Sequence, residues 1–323
     1  MYNEKLLLDI IVLEITSHCN ARCVYCPQSV NPLPINTMSM DLFNHLVSII
    51  VNECVIHDNF FVILNHTSEP LLDRYFKERI KILREYNIKI ALFTNATRLT
   101  KSIIDYLKVN DFSNWGIIIN FPSLDKFEWS QKMGLPEKLF DQTCNNIIKF
   151  IEKFQSTNVN IDIRLIKQYE NETELFSQDS LPGHANLETP LFKKYKKSMI
   201  NFLQKNNLSN VRISYVQGDD RCNTVHLNDK NKNHINSPPF HANKYLKGCS
   251  YKKITKTIDI SYDGKIFLCC QDYKKEIILG DLTQNSLYEI LNSELTNNYK
   301  NQIYGNISAT DDLICRKCSH III

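Results

Sequence analysis

The stretch "EITSHCNARCVYCPQS", Glu14 to Ser29, decides how this chain is read. Cys19, Cys23 and Cys26 form a C-x-x-x-C-x-x-C row directly after the apolar, β-branched run Ile10–Thr16, which predicts a strand. Three thiols in one short loop suit a metal centre. A tetrahedral structural site takes four ligands, however, so the row is one thiolate short.

Outward from this loop, β-rich apolar stretches alternate with amphipathic helical ones. Strands are predicted at Ile10–Thr16, Phe60–Asn65, Ile88–Thr94, Gly116–Asn120, Asn160–Ile166 and Val211–Val216. Helices are predicted at Asp41–Val51, Leu72–Tyr86, Lys101–Lys108, Lys138–Phe154 and Pro190–Lys205. Such alternation implies parallel strands joined by crossovers, an α/β sheet that binds ligands at the carboxyl ends of its strands. The cysteine row falls on that rim. The pattern stops near residue 217, and residues 218–248, which include Pro238-Pro239, read as a linker or substrate-covering loop. Next comes "TIDISYDGKIFLCC", where Asp263-Gly264 is a hairpin turn signal between alternating strands. A helix over Leu287–Asn298 and a terminal Cys315-Arg-Lys-Cys318 close a small unit spanning 249–323.

The 323 residues, 43% of them hydrophobic, allow one substantial core plus this smaller unit. A formal charge of +3 demands neither a nucleic-acid nor an anionic-membrane partner. The cluster Lys193, Lys194, Lys196 and Lys197 reads as a solvated helix face. There is no signal-peptide pattern, and no apolar run approaches the roughly 18 residues of a membrane helix, so a cytoplasmic location is expected. Eleven cysteines in a reducing compartment point to metal binding or thiol chemistry rather than to disulfides.

A [4Fe–4S] cluster normally takes four thiolates, so three would leave one iron open; the alternatives are a zinc knuckle or unrelated buried cysteines. With Tyr25 before the last cysteine, the row resembles the signature of the radical SAM superfamily. The resemblance covers most of residues 8–217 and implies a partial (β/α)6 barrel. It further implies an open iron that chelates S-adenosylmethionine, reductive cleavage to a 5'-deoxyadenosyl radical, hydrogen abstraction from a substrate, and a flavodoxin- or ferredoxin-type reductant. "HTSEPLLD" is similar to the second half of the family's Gly-Gly-Glu-Pro, with Glu69 and Pro70 matching and Thr67 and Ser68 replacing the glycines. By that resemblance the backbone at Thr67 and Ser68 can contact the S-adenosylmethionine amino group, and Glu69 can pair with the ammonium. Thr94 and Asn95 of "LFTNAT" and Asn120 of "IIINFPS" belong near the cofactor, while Arg164 can reach its carboxylate. Each of these polar residues can alternatively cap a helix.

Cys249, Cys269, Cys315 and Cys318 resemble the ligands of a short SPASM/twitch extension, a small α+β unit with one auxiliary [4Fe–4S] cluster. Four thiolates also suit zinc. Cys270 adjoins Cys269, and on a strand the two would point to opposite faces, which favours Cys269 as the ligand.

Two fates for a substrate radical follow. Cys222, just beyond the sixth predicted strand, is the candidate hydrogen donor for epimerisation, with Asp219, Asp220 and Arg221 flanking it. Radical SAM epimerases resemble this layout. The cysteine spacing also resembles the butirosin-pathway dehydrogenase, which implies oxidation with the auxiliary cluster as electron acceptor. A non-catalytic iron–sulfur carrier is the alternative of another class. The expected substrate is a natural-product peptide or a small sugar or aminocyclitol, covered by Tyr169–Thr189 and Thr224–Ala242. Cys54 and Cys144 are assigned to packing, and His226, His234 and His241 to the surface.

Overall fold

The computed structural model describes residues 5–109, 115–166, 190–216, 218–225 and 235–323. Six parallel strands stand side by side in chain order: β1 (Ile10–Leu13), β2 (Phe61–Ile63), β3 (Lys89–Thr94), β4 (Gly116–Asn120), β5 (Asn160–Ile166) and β6 (Val211–Val216). The crossovers carry α1 (Met40–Glu53), α2 (Phe76–Glu85), α3 (Lys101–Val109), α4 (Lys126–Met133), α5 (Phe140–Phe154) and α6 (Pro190–Lys205). This is the α/β architecture that the alternating pattern implies, an open, partial barrel with a small C-terminal unit attached.

Burial along the strands explains why one face is free. In β3 and β4 alternate residues are buried, with Ile90, Leu92, Thr94, Ile117 and Ile119 on the inner side of the helical layer. Parallel strands covered on both faces read as continuous apolar runs, so this period of two marks a face that borders a lumen. The covered face packs on α5 through Ile147, Phe150, Ile151 and Phe154, each stabilising the fold by roughly 2 kcal/mol through burial. Trp115 meets the rings of Phe150 and Phe154 edge-on at 6.1 and 5.9 Å. Ser39 caps α1 by accepting from Leu42 N, a contact worth about 1 kcal/mol.

The C-terminal unit continues the same sheet. β10 (Thr257–Ile260) pairs parallel with β1, placing Asp259 opposite Val12, and β11 (Lys265–Phe267) and β12 (Ile278–Asp281) follow antiparallel. The full order is β12-β11-β10-β1-β2-β3-β4-β5-β6. Gly264, at φ +85°, makes the predicted turn between β10 and β11. Two small ladders complete the chain: β7 (Gly218–Asp219) with β8 (Ile235–Asn236), and β9 (Gly248–Cys249) with β13 (Ile321–Ile322).

Three elements depart from the sequence expectation. Helix α4 is not in the predicted set; Asp125 caps it by accepting from Glu128 N, and Gly134 ends it. The helix predicted over Leu72–Tyr86 starts only at Phe76, after a 3-10 turn at Pro70–Leu72. The helix predicted over Leu287–Asn298 divides at Ser293 into α7 (Leu287–Asn292) and α8 (Glu294–Ile303), because extended Ser293 closes the first and caps the second through Thr296 N. Among the described residues, no helix is long and apolar enough to cross a membrane. The cover predicted at Tyr169–Thr189, together with His226 and His234, lies outside the described residues.

Candidate functional site

Cys19, Cys23 and Cys26 lie in the loop leaving β1 at the carboxyl rim. The loop is laced to the end of α4: Arg22 N donates to Met133 O and Val24 N to Lys132 O, both at 3.0 Å. Gly134 permits this approach, since its φ is +58° and a Cβ there would lie 2.4 Å from Arg22 O. Buried Gln28 donates to Thr67 O at 3.1 Å and Ser17 O at 3.3 Å, and accepts from Leu33 N at 3.1 Å. The loop is therefore fixed on several sides before any cofactor binds.

Burial pushes the Cys19 thiol up to about 12 and Cys23 well above the ordinary thiol range, with Cys26 adding to both. Burial also raises Cys26, and a backbone hydrogen bond from Gln28, then the charges of Arg221 and Arg22, hold that rise back. Such thiols stay protonated until a metal draws the protons off. An all-sulfur donor set of this kind fits an iron–sulfur cluster. Tyr25 is half-buried, with its hydroxyl 3.8 Å from Met133 Sδ, the same distance as that from Met133 Sδ to Cys23 Sγ.

Glu69, only 1% exposed, is committed to the protein. Its Oε1 accepts from Thr94 Oγ1 at 2.8 Å and Leu71 N at 3.2 Å, and its Oε2 from Asn95 N at 2.8 Å. Its own N–H donates to His18 O at 2.9 Å. Burial pushes the carboxyl up to about 7 while the three hydrogen bonds pull it down. Glu69 thus braces the rims of β2 and β3 against the cysteine loop, and Pro70 opens the turn behind it. Asn95 extends the brace: its Nδ2 donates to Asn20 Oδ1, and Asn20 Nδ2 donates to Thr97 Oγ1, both at 2.9 Å.

Directly before Glu69 the polar atoms are unsatisfied. Asn65 Oδ1, both ring nitrogens of His66, Thr67 Oγ1 and Ser68 Oγ are buried with no partner among the described residues. Buried polar groups are rarely left in this state, which makes the segment a candidate for contact with a ligand. Asn120 and Arg164 face each other across β4 and β5. The Arg164 guanidinium stands 5.0 Å over the Phe93 ring with no carboxylate partner among the described residues, and burial lowers its pKa. An anion arriving there would gain a charge-assisted contact.

The second set of thiols lines one small, partly open cavity, where Cys249, Cys269, Cys270, Cys315 and Cys318 meet Tyr251, Lys253 and His320. The β9–β13 ladder places Cys249 opposite Ile321. Buried Arg316 holds the Cys315–Cys318 turn by donating to Thr310 O, His241 O, Asn243 O and Ala309 O at 2.6–2.8 Å. His320 N donates to Cys318 Sγ at 3.3 Å. Strand β11 ends at Phe267, so Cys269 and Cys270 sit in the turn beyond it and both border the cavity. The opposite-faces argument for choosing between them therefore does not apply.

The Arg221-Cys222-Asn223 turn has successive φ of +50, +54 and +68°. Arg221 and Cys222 in that region cost roughly 1–2 kcal/mol each, and Asn223, which tolerates it, less. Arg221 Nη1 donates to Cys270 O at 2.8 Å, and Cys222 is 8% exposed. Buried Asp220 accepts from the Ser237 hydroxyl, and Asp219 pairs through its backbone with Asn236. Cys54 is fully buried and Cys144 half-buried against the core.

Sequence reasoning missed three contributors. Gly134 and α4 fasten the cysteine loop, and the cue was the Gly134-Leu135-Pro136 punctuation. Glu14, fully buried and ion-paired with Lys275, ties β1 to the C-terminal hairpin; a lone carboxylate in an apolar run was its only signal. His66, whose ring meets Phe267 edge-on at 5.3 Å, gave no signal beyond its place beside Glu69-Pro70.

Comparison with known proteins agrees with this geometry. The radical SAM superfamily pattern matches residues 13–174, and the SPASM iron–sulfur cluster-binding domain matches residues 249–319. No curated protein sequence matches the chain. Among solved structures, BtrN in complex with AdoMet and 2-DOIA superposes with a TM-score of 0.55 at 13% identity, covering 94% of this chain and 90% of that one. Streptococcus suis SuiB bound to precursor peptide SuiA gives 0.58 at 12% identity, with 97% and 70% covered. Native anSMEcpe with bound AdoMet gives 0.56 at 14% identity, with 96% and 86% covered. At these identities the likeness is one of fold.

Proposed function

Because the chain belongs to the radical SAM superfamily and is a radical SAM enzyme with a SPASM-type iron–sulfur domain, we propose that it abstracts hydrogen from an unactivated C–H bond of a natural-product peptide, sugar or aminocyclitol. Cys19, Cys23 and Cys26 would hold the [4Fe–4S] cluster, leaving one iron for S-adenosylmethionine. When bound, that pair supplies the 5'-deoxyadenosyl radical, with electrons delivered by a flavodoxin- or ferredoxin-type protein. The free hydroxyls of Thr67 and Ser68 suit the cofactor's ammonium, Arg164 suits its carboxylate, and Asn120 borders the same lumen. Thr94, Asn95, Glu69 and Pro70 would shape the pocket, while Tyr25 would steady the loop through its contact with Met133. Cys249, Cys269, Cys315 and Cys318 would hold one auxiliary [4Fe–4S] cluster, with Cys270 at the same wall. The proposed boundaries are 1–217 for the barrel, 218–248 for the connector and 249–323 for the auxiliary unit.

The favoured outcome is epimerisation, with Cys222 returning a hydrogen atom to the opposite face of the substrate carbon and the resulting thiyl radical taking one electron from the reductant and one proton from solvent. One observation carries it. Arg221, the neighbour of Cys222, bonds Cys270 O and its charge acts on Cys26, which supports a place for the Cys222 thiol near both thiol sets. Arg221, Asp219 and Asp220 would orient the substrate there. Dehydrogenation is the second reading, favoured by the nearness of the auxiliary site to this turn.

Turnover in D2O with candidate natural-product substrates, followed by mass analysis, tests the choice. Epimerisation adds one deuterium at one carbon and is lost in Cys222→Ala while S-adenosylmethionine cleavage persists. A product two hydrogens lighter decides for dehydrogenation. Failure of the reduced, reconstituted protein to form 5'-deoxyadenosine would sink both.

A further inference from the structure

A buried ion pair stands on the wall of the C-terminal cysteine cavity, and the fold alone does not account for it. Lys253 lines the cavity beside Cys269 and Cys270, and its ammonium pairs with Asp259 on β10. The two side chains are only 7% and 1% exposed. Asp259 Oδ1 has no hydrogen-bond partner among the described residues, so the carboxylate is incompletely satisfied. A buried pair in that condition stabilises a fold less well than two apolar side chains of the same volume. Its placement makes sense once a negatively charged group fills the cavity, because the ammonium then faces an anion on each side.

We propose that Lys253 raises the reduction potential of the auxiliary cluster, its cation favouring the reduced and more negative form, with Asp259 holding the ammonium at the wall and partly offsetting its charge. The potential of an iron–sulfur cluster follows net charge and hydrogen bonds to sulfur, and the His320 N–H donated to Cys318 Sγ acts in the same direction. The inference rests on the auxiliary-cluster assignment above. It concerns the cluster's readiness to take up one electron and is independent of which substrate is bound.

The test is an EPR-monitored redox titration of reconstituted full-length protein in which Cys19, Cys23 and Cys26 are replaced by Ala, so that only the auxiliary cluster reports. Lys253→Met shifts its potential downward, Asp259→Asn shifts it upward, and Lys253→Arg leaves it near the starting value. If Lys253→Met fails to fold, Lys253→Gln and the double variant Lys253→Met/Asp259→Leu supply the cation-free reading. Iron analysis keeps the two ideas apart: about four iron atoms per chain in the triple-alanine background shows that the auxiliary cluster exists. With that iron present, unchanged potentials in both single variants, or shifts of the same sign, overturn the role of Lys253. Absence of that iron overturns the cluster assignment, and this inference with it.

Discussion

Replacing Gly134 with Ala should loosen the cysteine loop from a residue that touches no cofactor. Gly134 has φ +58°, and a Cβ there would lie 2.4 Å from Arg22 O and 2.8 Å from the Arg22 carbonyl carbon. Left-handed backbone costs an L-residue roughly 1–2 kcal/mol, and overpacking of this kind adds about 1–3 kcal/mol. The total is about 2–5 kcal/mol, unless the loop retreats by giving up the Arg22 N–Met133 O and Val24 N–Lys132 O bonds. Either route lowers loading of the N-terminal cluster. Urea unfolding of anaerobically reconstituted protein reads the first route, and iron content with the S-adenosylmethionine-perturbed EPR signal reads the second. Gly134→Asn, which tolerates the left-handed region but carries the same Cβ, should fall between glycine and alanine. Stability within about 0.5 kcal/mol of wild type, with full iron in Gly134→Ala, would refute the close-approach argument.

Glu69 gives the cofactor-free protein a pH dependence of definite sign. Its folded pKa is raised from 4.5 to about 7, so its stabilising contribution is complete below 4.5 and is lost as pH rises through 7. The span is on the order of 3 kcal/mol, and denaturant unfolding of Glu69→Gln across that window should show the slope flattened. Cys315→Ser should lose about half the iron while retaining S-adenosylmethionine cleavage, and Cys23→Ser should lose the other half together with cleavage; iron analysis and 5'-deoxyadenosine yield check both. Arg164→Met removes a charge-assisted contact worth about 2 kcal/mol, roughly a 30-fold loss in S-adenosylmethionine affinity by equilibrium dialysis, with cluster content unchanged.

The fold, the Cys19–Cys26 row and the Cys315–Cys318 pair were legible because their signals are local. Strand–helix alternation repeats within each crossover, and the spacings Cys19-x-x-x-Cys23-x-x-Cys26 and Cys315-x-x-Cys318 lie within single loops. What stayed hidden depends on segments distant in the chain. His66 is buried under Phe267, and Lys253 meets a cavity wall only once the distant Cys315 and Cys318 come alongside it. Helix α4 is short, with Trp129 and Met133 its buried apolar residues and Phe127 facing solvent, so its pattern barely registers. Glu69 shows why a motif match does not fix a role: the matching residue stands where expected, and Thr94 and Asn95 already occupy its carboxylate.

The position of β10 beside β1 has a consequence for how the chain matures on the ribosome. The first strand is laid down early, but one of its two neighbours is encoded in the last quarter of the sequence, and pairing across so long a separation is slow. Until residues near 260 have emerged, the Ile10–Leu13 edge has no lasting cover and invites strand addition from other nascent chains. Shortening the protein ahead of this segment would therefore yield insoluble material rather than an autonomous barrel.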